Sequence, residues 1–428
     1  MVDFIGFFGF FKFSGRKNTI FFYKIHPSEH LLFHYFCTVK LATFNPDHDL
    51  ALAHGRTHYV PPASAVQFAR DAAAIMVWLS PGAAVLAPYG QPADDFADIV
   101  HRLGLECQWI TERELPLVGG GEVLPWGWNY NLRERLKKMG IAAEVLPTDT
   151  ELAEIQRLSH RRTAAEAMKF LRERAARPDL LPLPAQELHT LEEADAFLSC
   201  HGKAMFKMPW SGSGRGLRRV EQTMSTHQRG WIRQSILKSG CIMAEPFVPV
   251  VQDFAMEFYC NGTVSFEGYS LFKTHNGVYL GNILASDAEI EKRLSQWIDI
   301  QLLHEYRDGL LQFIQKKIAP YYKGCVGVDM FVYQKDGAYF VNPAVELNLR
   351  MTMGLLANRF CRNHLADGVT GTMSLEYRAT AGELYAEHLA LNENFPPVIA
   401  DGKLISGSIT LSPVLPETFY TVRVTCFC

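Results

Sequence analysis

Apolar runs of strand length alternate with stretches of helical period in the first part of the chain, at residues 39–44, 63–76, 83–87, 94–103, 132–139 and 142–146. A polar loop follows the first run, and Gly140 supplies a C-cap after the helix that precedes it. Strands that alternate with helices are typical of parallel sheets. We therefore predict an α/β domain over residues 39–150, with regular structure beginning near Val39.

The pattern changes at residues 147–149, which form a boundary before a long helical pattern at 151–176. Beyond it, Asn-Gly and Asp-Gly turns between alternating segments predict two antiparallel hairpins, 253–260 with 263–269 and 326–333 with 338–341. Between the hairpins, Ser286 and Glu289 form a predicted capping box that opens a helical region. The C-terminal region adds one helical stretch and weak strand signals without recognisable chemistry.

Composition excludes several classes of protein. With 428 residues, 48% hydrophobic and 20% charged, the chain is long enough for two or three domains and is not typical of a disordered protein. Its 42 Lys and Arg against 45 Asp and Glu leave a net charge of -3, which argues against a nucleic-acid binder. The nine cysteines are scattered without the spacing of a zinc site or redox pair, so we expect a reducing, cytoplasmic location.

The N-terminal segment, residues 1–38, has its own character. Twelve aromatic residues lie from Phe4 to Phe36. The pattern is not that of a signal peptide, because Asp3 comes first and the apolar run is interrupted by Lys12, Arg16 and Lys17. The uninterrupted part is too short for a bilayer, which needs about 20 residues. We expect an extension outside the working fold, arising from a misassigned start codon, with a membrane-surface anchor as the alternative.

The second hairpin predicts which residues face one another. If Asp336-Gly337 are the two turn residues, Asp329 lies opposite Ala344, and Glu346 is one diagonal step away. Pro343 cannot donate a ladder hydrogen bond, so a bulge that changes this register is the alternative.

Period-two alternation in the same hairpin places Asp329, Glu346 and Asn348 on one face of the sheet, with Arg350 next in line. Two carboxylates and an amide oxygen are ligands that magnesium prefers, and magnesium keeps open positions for phosphate oxygens. The spacing therefore predicts a magnesium site. Solvated strand charges are the alternative interpretation.

A glycine-rich loop follows a predicted strand that ends near Lys207. Glycines at alternate positions, 212, 214 and 216, permit close approach of the backbone to phosphate, and Lys207 offers a point charge. The chain contains no GxxxxGK[ST] motif, and a plain hairpin loop is the alternative.

Three further residues are candidates for substrate contact. Asn45 and Asp49 follow the first strand, at the edge where α/β sheets place ligands, although a polar turn explains them equally well. Lys273 lies in the connection between the two hairpins, where a solvated loop is the alternative.

Three features of the sequence, taken in this order, resemble the ATP-grasp superfamily over residues 151–358. They are the Lys207 strand with its glycine loop, the segment 243–248, and the closing set of Asp329 with Glu346-x-Asn348. The resemblance implies an α/β N-terminal domain followed by a two-subdomain α+β ATP-grasp fold with antiparallel sheets. The implied boundaries are an extension at 1–38, a pre-ATP-grasp domain at 39–150, an N-subdomain at 151–245, and a C-subdomain with a C-terminal tail at 246–428.

The resemblance also implies roles for individual residues. The ATP-binding set is Arg161, Lys207, Ser211, Gly212, Ser213, Gly214, Gly216, Glu245, Phe247, Val248 and Asp253. Within this set Lys207 would contact the α- and β-phosphates, Glu245 the adenine and Asp253 the ribose. Arg161 stands where the family usually has its first lysine. Arg350 would steady the transferred phosphate, so Arg350 and Lys207 are the catalytic candidates.

The activity implied by the resemblance is that of an ATP- and magnesium-dependent carboxylate–amine ligase of the EC 6.3 type, acting through an acyl phosphate, with manganese as the alternative ion. Its partners would be a small-molecule or peptide carboxylate and an amine, with no nucleic acid, no membrane span and a homodimer left open. Two alternatives remain: phosphoryl transfer to a non-carboxylate acceptor, and a nucleotide-binding regulatory protein without turnover.

Overall fold

The computed structural model describes residues 40–88, 90, 92–115, 121–212, 216–275 and 278–427. All of the described residues belong to one compact unit, Thr38–Cys428. The aromatic-rich extension therefore lies outside the described residues. None of the helices among the described residues has the length and apolarity that a bilayer span requires.

The strands are β1 Leu41–Thr43, β2 Ala84–Leu86, β3 Trp109–Ile110, β4 Val123–Pro125, β5 Gln186–Leu188, β6 Lys203–Lys207, β7 Leu217–Glu221, β8 Ile242–Pro246, β9 Val250–Asn261, β10 Thr263–His275, β11 Val278–Leu284, β12 Gly324–Lys335, β13 Ala338–Asn348, β14 Thr370–Tyr377, β15 Val398–Ala400, β16 Lys403–Thr410 and β17 Tyr420–Phe427. The α-helices are α1 His48–His54, α2 Ala63–Asp71, α3 Met76–Leu79, α4 Asp94–Arg102, α5 Tyr130–Lys138, α6 Asp149–Leu158, α7 Arg162–Arg172, α8 Leu191–His201, α9 Thr226–Ser239, α10 Asp287–Leu294, α11 Ile300–Lys317, α12 Met353–His364 and α13 Glu383–Asn394.

The first sheet is parallel, as the alternation of strands and helices predicts. Its four strands lie in the order β3-β2-β1-β4, with Leu41 paired to both Ala84 and Val123. The strand predicted at 142–146 is wrong: the chain forms a 3₁₀ turn at Ala143–Val145. Only the flanking Ile141 and Leu146 are buried, so the segment lacks the alternation that a strand needs.

The long helix predicted at 151–176 is interrupted. It forms α6 and α7, separated at residues 159–161. Two backbone groups there bond outside the helix pattern, because Arg161 N donates to Pro209 O at 3.0 Å and Arg162 N donates to His160 Nδ1 at 2.9 Å. The break brings this turn against the segment that leads into the glycine loop.

The other two sheets are antiparallel, which agrees with the α+β expectation. One has four strands in the order β5-β8-β6-β7 and packs against α8 and α9. The other has nine strands in the order β13-β12-β9-β10-β11-β14-β17-β16-β15. The weak C-terminal strand signals are thus integral to a sheet, and Met373 and Val424 share one apolar cluster with Ala42 of the parallel sheet.

Both predicted hairpins are confirmed, and the register of the second needs a correction. Near its turn the predicted register holds as far as the pair Phe331–Asn342. A bulge then follows around Pro343, and Asp329 lies opposite Glu346 rather than Ala344. Because β13 has advanced by two extra residues, the period-two faces are unchanged.

Candidate functional site

The two acidic residues of the second hairpin form a half-buried pair on one face of the nine-stranded sheet. Asp329 on β12 lies directly opposite Glu346 on β13, and Asn348 Nδ2 donates to Asp329 Oδ2 at 3.1 Å. The alternate residues of β12 point the other way into the core, where Val328 is fully buried. The apolar face fixes the orientation of the strand, so the polar face is directed into the site.

The environment of this pair disfavours two bare negative charges. Burial raises the pKa of Asp329, and the neighbouring Glu346 carboxylate raises it further. Burial also raises the pKa of Glu346, while Arg161 and Arg350 act in the opposite direction. Two adjacent carboxylates with raised pKa values bind either protons or a cation.

Arg350 is anchored by a residue from the α/β domain. Its Nε donates to Asp49 Oδ1 and its Nη2 to Asp49 Oδ2, both at 2.9 Å. Nη2 also donates to Asn348 Oδ1 at 2.9 Å, which joins the arginine to the predicted metal ligands. Burial alone would raise the pKa of Asp49, but Arg350, together with His48 and Arg161, lowers that pKa below its ordinary value.

Arg161 joins the glycine loop to the same carboxylates. Its Nη1 lies 2.9 Å from Glu346 Oε2. Its Nε donates to Met208 O at 3.0 Å, and its Nη2 donates to Ser211 O and Ser211 Oγ at 3.3 and 3.1 Å. The Arg161 side chain is only 6% exposed, and it lies between Glu346 on β13 and the Met208–Ser211 segment that follows β6.

The glycine loop itself closes against Asp49. A Cβ on Gly212 would lie 2.4 Å from Asp49 Oδ2, a distance that leaves room only for glycine. A cleft with about 260 Å³ of empty space, counting its open mouth, lies between the loop and β13 and is lined by Asp49, Ser211, Glu346 and Asn348 among others. The predicted Ser213 and Gly214 lie outside the described residues.

Lys207 and Glu245 form a second buried ion pair on neighbouring strands. Lys207 Nζ lies 2.5 Å from Glu245 Oε1, and the two side chains are 5% and 15% exposed. Residues 247–249 connect β8 to β9 and are called the hinge here. Phe247 begins this hinge: its N donates to Lys203 O at 3.1 Å, and the Arg219 guanidinium lies 4.0 Å from its ring centre. The Lys207–Glu245 pair thus lies across β6 and β8, and Phe247 follows at the start of the hinge.

No protein-family model matches the sequence, and no curated protein matches it. Solved structures match in fold. A biotin carboxylase–β,γ-ATP complex from Campylobacter jejuni aligns with a TM-score of 0.50 and 11% identity, over 91% of this chain and 87% of that chain. N5-carboxyaminoimidazole synthetase from Staphylococcus aureus aligns with a TM-score of 0.48 and 11% identity, over 91% and 93% of the two chains. An ATP-grasp superfamily protein from Archaeoglobus fulgidus aligns with a TM-score of 0.42 and 12% identity, over 91% and 100%.

The chain has an ATP-grasp fold. The likeness to the biotin carboxylase structure covers most of both chains and agrees with the order of motifs along this sequence. At this level of identity the likeness concerns the fold, and it transfers no activity.

Within this ATP-grasp fold, the contacts bring most of the predicted residues into two groups. The first comprises Asp49, Arg161, Ser211, Gly212, Asp329, Glu346, Asn348 and Arg350. The second is the Lys207–Glu245 pair; Phe247 follows Glu245 in sequence, and its contacts are to Lys203 and Arg219. Val248 is half-buried within the hinge, and Gly216 O accepts from Met208 N at 2.8 Å at the base of the loop.

Asp253, Lys273 and Asn45, like Phe247 and Val248, are not joined to either group by a contact in the described part of the chain. Asp253 accepts from Thr274 Oγ1 at 2.6 Å, and Lys273 beside it is exposed. Asn45 is buried, with its amide bonded to Gly127 O and Gly127 N at 2.8 and 3.2 Å. The Asn45 amide therefore clamps two loops together, and the ligand roles of all five residues stay predictions.

Glu257 is a charged residue of this region that the sequence analysis missed. It is 1% exposed on β9, opposite Gly327, and its Oε1 accepts from Thr352 Oγ1 at 2.7 Å. Its Oε2 has no hydrogen-bond partner in the described part of the chain. Burial raises the pKa of Glu257 to about 7, against the lowering effect of Thr352. A signal was present, because a lone acidic residue interrupts the apolar residues 254–260.

One other cluster has side chains of metal-ligand type among the described residues: His160, Glu187 and Cys241. Arg162 N donates to His160 Nδ1, so the ring proton is on Nε2, which lies 3.6 Å from Cys241 Sγ. Glu187 Oε1 accepts from the Arg162 guanidinium at 2.7 Å. These partners already satisfy the donor set, which therefore does not fit a metal.

Proposed function

We propose that this chain is an ATP- and magnesium-dependent ligase that joins a carboxylate to an amine or similar nucleophile through an acyl phosphate. The observation that carries the proposal is the half-buried Asp329–Glu346 pair with two arginines beside it. Arg161 contacts Glu346, and Arg350 contacts the neighbouring Asn348. Phosphoryl transfer needs cations and cation ligands fixed before the reaction, because charge moves between the oxygens of the transferred group.

The nucleotide is proposed to bind between the glycine loop and the β8 hinge. Lys207 supplies positive charge for the α- and β-phosphates, and its buried partner Glu245 holds it in place. Glu245 and the backbone near Phe247 face the adenine in this proposal. The four-stranded sheet provides one wall and the nine-stranded sheet the other, which supports domain boundaries near residues 150 and 245.

Magnesium fits the oxygen donors on the nine-stranded sheet. Asp329, Glu346 and Asn348 would hold it, and manganese suits the same donors. The fit has one condition: Glu346 Oε2 accepts from Arg161 in this structure, so holding an ion requires Glu346 to share or exchange that contact. When bound, such an ion neutralises charge on the phosphate oxygens.

Arg350 acts mainly through its charge. Asp49 accepts hydrogen bonds from Nε and Nη2 of the guanidinium. This edge is therefore not free for bidentate binding of a phosphoryl group. The anchored arginine instead places a fixed positive charge beside Asn348, where it stabilises negative charge as it develops. Asp49 is therefore a positioning residue in this proposal.

The proposal is tested by measuring ADP release with pooled carboxylates and pooled amines. ADP release that needs magnesium and one member of each pool supports the ligase. Release with a hydroxyl acceptor and no carboxylate favours phosphoryl transfer instead. ATP binding without release under any combination favours a regulatory nucleotide-binding protein and contradicts the ligase.

A further inference from the structure

A second cleft lies in the α/β domain, at the carboxyl end of β1. It contains about 460 Å³ of empty space, counting its open mouth. Asp47 and Arg135 line it together with the apolar residues Phe44, Ala65 and Val66. The cleft is built by the β1 loop, α2 and α5, and it shares no lining residue with the cleft between the glycine loop and β13.

Neither charge of this cleft has an ion-pair partner in the described part of the chain. Asp47 precedes α1 but makes no side-chain capping bond to it, and no ion pair within 4.0 Å joins Asp47 to Arg135. Burial raises the pKa of Asp47, and Arg135 acts in the opposite direction. The buried hydroxyl of Tyr59 likewise has no partner, and the charge of Asp47 adds to the burial that raises its pKa to about 12. The cleft thus offers a half-buried anion and a separate, solvent-exposed cation at its edge.

The opposite wall is apolar, and no element of the described part of the chain covers it. α2 buries only Asp71 among its nine residues, and Val66 is 51% exposed. Ala65 and Val66 point at the cleft, where Phe44 forms the floor and is 4% exposed. A ligand that fills this space therefore needs an apolar part beside its charges.

We propose that this cleft binds an α-amino acid with an apolar side chain, as the zwitterion. The ammonium group lies at Asp47, the carboxylate at Arg135, and the side chain against Ala65 and Val66. Opposite charges on one small ligand match the two unpaired groups, and each charged contact is a stronger bond than a neutral one. The inference rests on the proposed ligase only in taking this amino acid to be one of its substrates.

The test is calorimetry on the full chain without nucleotide, using leucine, 4-methylpentanoate and 3-methylbutylamine as probes. Leucine is expected to bind at least tenfold more tightly than either analogue, because each analogue lacks one charge. Asp47→Asn is expected to abolish the preference for leucine over 4-methylpentanoate. Arg135→Gln is expected to abolish the preference for leucine over 3-methylbutylamine.

Lys138→Gln is the matched control, because it removes a charge from the same helix outside the cleft. It should leave all three affinities unchanged. Leucine binding no tighter than that of both analogues overturns the proposal, as does an unchanged preference in both cleft variants. The wild-type analogue series decides the matter even if a variant fails to fold. Since no nucleotide is present, a failed ligase assay leaves this result unaffected.

Discussion

Asp49→Ala removes the anchor of Arg350 and is expected to affect both stability and turnover. The wild-type pair has two hydrogen bonds of 2.9 Å, with side chains 16% and 24% exposed. Breaking a buried ion pair costs about 3–5 kcal/mol. Arg350 keeps its contacts to Asn348 and Met351, so we expect the lower end, about 3 kcal/mol of unfolding free energy.

The same change should lower kcat about a hundredfold, equivalent to about 2.7 kcal/mol, because the freed guanidinium no longer has a fixed position. ATP affinity should change much less, since Lys207 and the hinge are untouched. Urea unfolding, ADP-release kinetics and calorimetry with ATP measure the three quantities. Asp98→Ala is the control, because it breaks an exposed Asp–Arg pair and should cost at most about 0.5 kcal/mol.

The pH dependence gives an independent check on Asp49. Its folded-state pKa is lowered below 3.8, so its contribution to stability is present at neutral pH and is lost as pH falls through the folded value. The stability difference between wild type and Asp49→Ala should therefore shrink in acid. A difference as small as that of Asp98→Ala at pH 7, together with unchanged kcat, would refute the anchoring role.

Three further predictions concern single residues. Lys207→Ala should weaken ATP binding by about 1.5–3 kcal/mol in calorimetry, whereas Lys203→Ala, an exposed lysine on the same strand, should not. Glu346→Gln should abolish magnesium-dependent ADP release while the circular dichroism spectrum is kept; wild-type-like activity would reject the metal site. Glu257 has a raised pKa, so its ionisation costs stability as pH rises from about 4.5 through about 7. Glu257→Gln should therefore gain stability relative to wild type by up to about 3 kcal/mol between pH 4 and pH 8 in urea unfolding, and a pH-independent difference would contradict this.

Local patterns predicted the hairpins and the polar face of the nine-stranded sheet well. Asp336 and Gly337 both have positive φ, 52° and 79°, as a tight two-residue turn requires. Alternation from that turn placed Asp329, Glu346 and Asn348 on one face, and the bulge near Pro343 preserved this because it adds an even number of residues. Such features depend on neighbours in the sequence.

Contacts between distant segments could not be read from those patterns. Asp49 and Arg350 are 301 residues apart, and their pairing depends on how the α/β domain packs against β13. The break between α6 and α7 has a similar origin, because Arg161 bonds to Met208 O and Pro209 O rather than continuing one helix. In both cases tertiary contacts override or add to the local signal.

The transfer of oxygen-18 from a labelled carboxylate to inorganic phosphate tests the central claim most directly. In the proposed reaction a carboxylate oxygen attacks the γ-phosphorus, and the amine later displaces phosphate at the carbonyl carbon. That oxygen leaves with the phosphorus, so each turnover should place one labelled atom in inorganic phosphate, as read by mass spectrometry. Unlabelled phosphate from an enzyme that turns over with the same carboxylate and amine would contradict the acyl phosphate and the proposed ligase mechanism.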